Sequence, residues 1–278
     1  MAQYVDEFRG TDDLYYALVT ADTAEAYTTG TVKKLAPVAE ISKTVETASD
    51  TKYYDNVAAL TINSEGADTI TLAIPALDLP TLAEITGKAY DSTTGAYMDG
   101  EATAPYIALG YRLGLTDGTY RYVWRYKGTF SLPEESAQTK NAGTDSAGQS
   151  LTYTGISTIH KFIKATDAQG NAMPQKALVV DERDGIADVS NFFSNVTTCD
   201  TLTAKTSYTL SITQATDTVV TVTKNGAALA NNATVYAGDV LTISVTGGTV
   251  TVNGSAFTSG NTHTVAANVT VVSTKTSS

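Results

Sequence analysis

Residues 119–127 read Thr-Tyr-Arg-Tyr-Val-Trp-Arg-Tyr-Lys. A period of two places Tyr120, Tyr122, Trp124 and Tyr126 on one face of a strand and Arg121, Val123, Arg125 and Lys127 on the other. Four bulky rings in register are what a half-buried strand needs to fill a sheet interface, so the aromatic face is read as core, with a sugar-stacking platform as the alternative. The basic face is the unusual half. In an acidic chain, Arg121, Arg125 and Lys127 are expected to meet carboxylates of a neighbouring strand or another subunit, a merely solvated face being the plainer alternative. Just upstream, Asp117-Gly118 is read as a two-residue turn, with Tyr106 to Leu115 as the partner strand. This hairpin sets the class as antiparallel β.

Working outward, Ile70, Leu72 and Ile74 alternate with Thr69, Thr71 and Ala73, a second strand with one face inward. One segment reads as helix: Asp78 can cap it, Leu79, Leu82 and Ile85 fall at i, i+3 spacing, Pro80 suits its first turn, and Gly87 stops it. Two stretches read as loops: Ser42 to Asn56, for its polar interior, and Glu134 to Ser150, for its Ser, Gly, Asn, Ala and Gln. The expected architecture for residues 1–196 is a mostly antiparallel sandwich or partial barrel with one short helix.

Residues 201–278 differ in character. They hold three lysines and two aspartates, a net charge of +1, whereas the whole chain carries −11 and the first 200 residues therefore −12. Twenty threonines and many Val, Asn and Gly are strand-and-turn chemistry. The runs Thr218 to Thr223, Leu241 to Val245, Val250 to Val252 and Val269 to Val272 are separated by Asn-Gly or Gly-Gly, and Asn225-Gly226 and Asn253-Gly254 can each close a hairpin. Residues 197–278 are thus expected to form a small Ig-like β-sandwich, with the boundary near Asn195 to Thr203. A Thr-rich stalk is the alternative, disfavoured by the regular apolar alternation.

Charge and motifs exclude several functions. An acidic chain repels phosphate at long range, which argues against a nucleic-acid binder. A single cysteine, Cys199, allows no intramolecular disulfide and no multi-cysteine metal cage. The N-terminus, MAQYVDEFRG, reads as a cytoplasmic start without a secretory leader. His160 and His263 lie far apart with no catalytic companion, and the sequence contains no G-x-S-x-G, Walker A, H-E-x-x-H or G-x-G-x-x-G motif, so no enzyme, cofactor or metal is expected. The cluster Asp181-Glu182-Arg183-Asp184-Gly185 lacks the alternating ligands and distal Glu of a calcium loop, and a solvated turn or subunit contact is preferred. Asn-x-Ser/Thr triplets at Asn195, Asn232, Asn253 and Asn268 follow from composition.

The order of features from Ala108 to Lys140 resembles the central signature of the major tail proteins of long, non-contractile-tailed bacteriophages. It comprises Gly110-Tyr111, the Asp117-Gly118 turn, Tyr120 to Trp124, Tyr126-Lys127-Gly128 and Pro133-Glu134-Glu135; Lys52 to Asn56 and Val179 to Phe193 agree with it. The resemblance covers about residues 3–196. It implies a tail-tube subunit: a β-sandwich with one helix, assembled as homohexameric rings whose inner sheets join, stacked into a tube that conducts viral DNA past an acidic lumen.

The resemblance further implies self-association, with tape measure, tail terminator and distal tail proteins as partners. DNA passes through without specific binding, nothing inserts into a membrane, and the protein resides in the virion after assembly in the host cytoplasm. Candidate subunit contacts are the N-terminal arm (Tyr4, Val5, Phe8, Arg9), the loop Val45 to Tyr54 (Val45, Glu46, Asp50, Lys52, Tyr53, Tyr54), the basic face (Arg121, Arg125, Lys127) and the segment Asp181 to Phe193 (Asp181, Glu182, Arg183, Asp184, Phe192, Phe193). The C-terminal module departs from the minimal family pattern and reads as an outward decoration, with weak adhesion to host surface polysaccharide as its expected role. A bacterial surface adhesin of two β modules is the alternative for the whole chain.

Overall fold

The computed structural model describes residues 6–134 and 148–276. The chain divides into two compact units, Met1–Arg183 with Val189–Leu202, and Asp184–Asp188 with Thr203–Ser278. It is mainly β, with one α-helix among the described residues.

The first unit contains β1 (Phe8–Asp22), β2 (Tyr27–Thr29), β3 (Lys33–Ala36), β4 (Glu40–Tyr54), β5 (Val57–Ile74), α1 (Leu79–Thr86), β6 (Ala89–Asp91), β7 (Ala96–Met98), β8 (Ile107–Leu115), β9 (Tyr120–Phe130), β10 (Gln149–Gly155), β11 (Lys161–Thr166), β12 (Ala172–Pro174) and β13 (Ala177–Asp181). Its main sheet runs β2-β1-β8-β9-β10-β5-β4, with β13 added to β9 and β3 added to β1. Strand β9 branches the sheet: Arg121 to Arg125 pair with β13 and Gly128 to Phe130 pair with β10. A sheet that splits in this way curls its strands around one core, here Leu14, Tyr16, Ile70, Leu72, Ile74, Ile85, Leu109, Tyr111, Val123, Leu151 and Tyr153 among others.

Helix α1 forms where the sequence signals place it. The Asp78 carboxylate accepts from the Thr81 N–H at 3.2 Å, Pro80 lies in the first turn, and Gly87 ends the helix at φ 72°. Leu82 and Ile85 are buried as expected, whereas Leu79, at the first turn, stays exposed.

The hairpin between β8 and β9 is present, but its loop has three residues, not two. Leu115 N–H donates to Thr119 C=O and Gly118 N–H to Leu115 C=O, so Thr116 to Gly118 form the loop with Gly118 at φ 86°. The Asp117 carboxylate caps this turn through the Thr119 N–H and hydroxyl, which hold it below the usual carboxylate pKa range.

The loop expected over Ser42 to Asn56 is instead strand β4 and its turn. β4 pairs with β5 from Glu40 to Tyr54, and Asp55 and Asn56, at φ 50° and 62°, close the hairpin as a two-residue turn. Polar side chains misled the reading, because a ribbon uncovered on both faces has no core to select an alternating apolar pattern. Of the second expected loop, residues 135–147 lie outside the described residues, and Gln149 and Ser150 begin β10.

The second unit contains β14 (Ser207–Thr213), β15 (Val219–Lys224), β16 (Ala227–Ala228), β17 (Thr234–Tyr236), β18 (Val240–Thr246), β19 (Gly248–Val252), β20 (Ser255–Phe257), β21 (Thr262–Thr264) and β22 (Val269–Lys275). They form sheets β17-β14-β22-β19-β20 and β16-β15-β18-β21. Leu210, Val222, Val235, Leu241, Ile243, Val250, Val265, Val269 and Val271 fill the core. Asn225-Gly226 and Asn253-Gly254 close two-residue hairpins with both residues at positive φ.

Candidate assembly surface

Among the described residues, the longest exposed stretch is the β4–β5 ribbon. Near the core its geometry is conventional: Ile41 faces Leu72, Lys43 faces Ile70 and Val45 faces Asp68, with the β5 partners buried. From Glu46 to Gly66 the ribbon continues with almost every residue exposed. At about 3.4 Å per residue, Glu46 to Tyr54 alone extends roughly 30 Å. Two bulges, each with the extra residue on β5, punctuate it: Val45 faces Asp68 while Thr47 faces Glu65, and Lys52 faces Leu60 while Tyr53 faces Ala58. Lys176 pins the first bulge, donating to Gly66 C=O at 2.5 Å and reaching the carboxylates of Glu65 (3.6 Å) and Asp68 (3.5 Å).

Paired residues of an antiparallel ribbon share a face, so the register sorts the side chains. Thr47 with Glu65, Ser49 with Asn63 and Thr51 with Thr61 make a polar face, the two threonine hydroxyls lying 3.2 Å apart. Ala48 with Ser64, Asp50 with Ile62, Lys52 with Leu60 and Tyr54 with Val57 make the other. This second face is an apolar stripe: Val57 is 66%, Leu60 53%, Ile62 52% and Tyr54 65% exposed. Among these pairs the charges are Asp50 and Lys52, which pair with each other at 2.6 Å, while Glu46 stands on the same side at the base of the ribbon, beside Gly66. Exposed apolar stripes of this kind are a composition found at interaction surfaces of folded proteins.

β4 is also a terminal strand, pairing with β5 alone, so its outer edge offers a long row of backbone donors and acceptors. Lys43, Glu46, Asp50 and Lys52 punctuate that edge, and charges at such positions limit indiscriminate pairing.

The other candidate residues have different placements. Tyr4 and Val5 lie outside the described residues. Phe8 is exposed beneath the Arg121 guanidinium, 5.2 Å from the ring centre, and Arg9 is exposed beside it. Val45 and Glu46 sit where the ribbon leaves the core, and Tyr53 lies at its tip, 68% exposed.

The basic face of β9 is used within the chain. Arg121 makes two bonds to Asp181, at 2.6 and 2.8 Å; these hydrogen bonds hold the Asp181 carboxyl below its usual range. Arg125 donates to Asp68 at 2.7 Å, and Lys127 to Asp22 at 2.6 Å. Arg125 and Lys127 are buried, leaving neither available to a neighbouring subunit without opening the fold. Burial pushes the Asp22 carboxyl up, but the N–H groups of His160 and Ile159 together with Lys127 outweigh it and hold its pKa low.

The segment Asp181 to Phe193 also turns inward in part. Arg183 pairs with Asp6 and approaches Asp181 at 3.8 Å, while Glu182 is half-buried and Asp184 exposed. The aromatic face of β9 receives Phe192 and Phe193: Tyr122 meets Phe192 at 5.4 Å, Trp124 meets Phe193 at 5.7 Å, and Trp124 Nε1–H donates to Phe192 C=O at 2.9 Å. Tyr126 packs on Phe162 and accepts from the Cys199 N–H. The ladder is core.

Sequence reasoning missed the apolar half of the ribbon. Leu60 and Ile62 alternate with Thr61 and Asn63, and the Asp55-Asn56 turn precedes them; those two signals together would have found it.

Among the described residues, no group of three or more His, Cys, Asp or Glu side chains is placed to hold a metal ion, and no helix is long and apolar enough to cross a membrane. No protein-family model matches the chain, and no curated protein is significantly similar to it.

Proposed function

We propose that this chain is a structural subunit that self-associates through its first unit, and that the assembly is the stacked hexameric tail tube of a long-tailed bacteriophage. The observation that carries self-association is the ribbon: a long edge strand with an apolar stripe on one face and no covering layer. The tube reading rests on the resemblance of Ala108 to Lys140, and the negative balance of the first 200 residues accords with a conduit that repels DNA. Copies joined head to tail, the ribbon of one docking on a different patch of the next, close into rings or run on as filaments, which is the symmetry a tube needs.

Negative-stain electron microscopy of the purified protein across a concentration and salt series tests the proposal. Hollow tubes with regular axial striation are the expected result. A chain that stays monomeric at every concentration, even when seeded with preformed tail tips, overturns it. A chain ended after Leu202 is expected to form the same tubes. That endpoint keeps the Asp200 carboxylate, which accepts from the Ile163 and Lys164 N–H groups, and the Leu202 carbonyl, which accepts from the Lys164 ammonium.

A further inference from the structure

The second unit contains the chain's two Asn-Gly pairs, and their side chains are held differently. Both asparagines are exposed, both sit at the first position of a two-residue hairpin loop, and both have left-handed backbone, φ 50° for Asn225 and 49° for Asn253. The following glycines, at φ 79° in both loops, present a backbone nitrogen with no side chain to shield it. Asn253 is tied down: its Oδ1 accepts from the Thr270 N–H at 2.8 Å, and its own N–H donates to the Thr270 carbonyl at 2.8 Å. The Asn225 side chain has no hydrogen-bond partner among the described residues.

We infer that Asn225 is a site of spontaneous covalent modification, converting to aspartate and isoaspartate in the folded protein, and that Asn253 is protected by its bond to β22. The Gly226 backbone nitrogen gives its proton to solvent base and attacks Asn225 Cγ. As the new N–C bond forms, the Cγ–NH2 bond breaks and the departing nitrogen takes up a proton to leave as ammonia, giving a five-membered imide. Water then adds at either imide carbonyl, and the ring opens to aspartate or to isoaspartate. No oxidant, reductant or metal enters. At Asn253 the same attack requires Cγ to leave the position fixed by Thr270. Reaction at Asn225 replaces a neutral amide by a carboxylate beside Lys224, whose ammonium already pairs with Asp239 at 2.8 Å. The isoaspartate product also lengthens the backbone of the β15–β16 turn by one methylene.

The test is storage of the full-length protein at mildly alkaline pH, followed by proteolysis and mass spectrometry of the two peptides, in native buffer and in strong denaturant. Native protein is expected to modify Asn225 at least about five-fold faster than Asn253, the factor to which one hydrogen bond's net worth of ~1 kcal/mol converts. In denaturant the ratio is expected to fall towards one. Equal native rates, a faster Asn253, or an unmodified Asn225 in protein whose denatured form does react overturns the inference. A five-fold preference that persists in denaturant also overturns it, because local sequence would then set the rates.

Discussion

Replacing Leu60 and Ile62 together by serine isolates the apolar stripe from the rest of the fold. Both side chains are about half exposed, at 53% and 52%, so on the scale of full burial the monomer is expected to lose up to about 1.5–3 kcal/mol for the pair. Full burial of a Leu or Ile side chain is worth about 1.5–3 kcal/mol, and roughly half of that remains to be gained on docking, or ~1.5–3 kcal/mol for the pair. Since each ~1.4 kcal/mol is ten-fold, the association constant is expected to fall by about 10- to 100-fold. Sedimentation velocity across a dilution series reads the shift in critical concentration, and a thermal melt of the monomer reports whether the fold survived. Thr61→Asn, on the opposite face of the ribbon, serves as the matched control. If the double variant assembles at the wild-type concentration while Thr61→Asn does not, the stripe is not the docking face and the register argument fails.

Burial, not distance, should separate two ion pairs of nearly equal length. Asp68→Ala strands the buried Arg125 guanidinium and is expected to cost about 3–5 kcal/mol in urea unfolding, whereas Asp50→Ala, which breaks a 2.6 Å pair in solvent, should cost at most a few tenths. Gly110→Ala is expected to destabilise by about 1–3 kcal/mol, because a Cβ there would lie 2.8 Å from the rigid, buried Trp124 ring; a variant melting like wild type contradicts this packing. Acid should unfold the first unit through Asp22 and Asp181. Their folded pKa values lie below the unfolded value of about 3.9, so their stabilisation is full above that pH and is lost as pH falls through the folded values. Stability measured from neutral pH downward should hold level to about pH 4 and then drop, and Asp22→Asn should flatten part of that drop.

What the sequence discloses depends on where a residue's partner lies. Asn225-Gly226 and Asn253-Gly254 announce their hairpins because a two-residue loop is a local decision, made by residues that tolerate positive φ. Asp117-Gly118 carries the same local signal, yet Thr119 is drawn into the pairing with Leu115 and the loop gains a residue; the dipeptide marks a turn without fixing its length. The aromatic ladder of β9 is legible as core since its period is internal to the strand. The destination of its basic face is not: Arg125 finds Asp68 across 57 residues and Lys127 finds Asp22 across 105, and no local rule selects those carboxylates from the chain's 29 acidic residues.

The ribbon is the instructive failure. A strand is recognised by the face it buries, and β4 beyond Val45 buries none within its own chain, so its composition resembles a loop. The same fact gives the ribbon its meaning. Regular pairing sustained from Glu40 to Tyr54 with no core beneath its outer half costs backbone entropy that local packing does not recover. Side chains as apolar as Val57, Leu60 and Ile62 would gain far more from a cover than from water. A segment that is ordered by its backbone and unfinished by its side chains is best completed by a surface outside the monomer. Another copy of the same chain is the partner always present at the concentration of the protein itself, which is why self-association is the reading the ribbon favours.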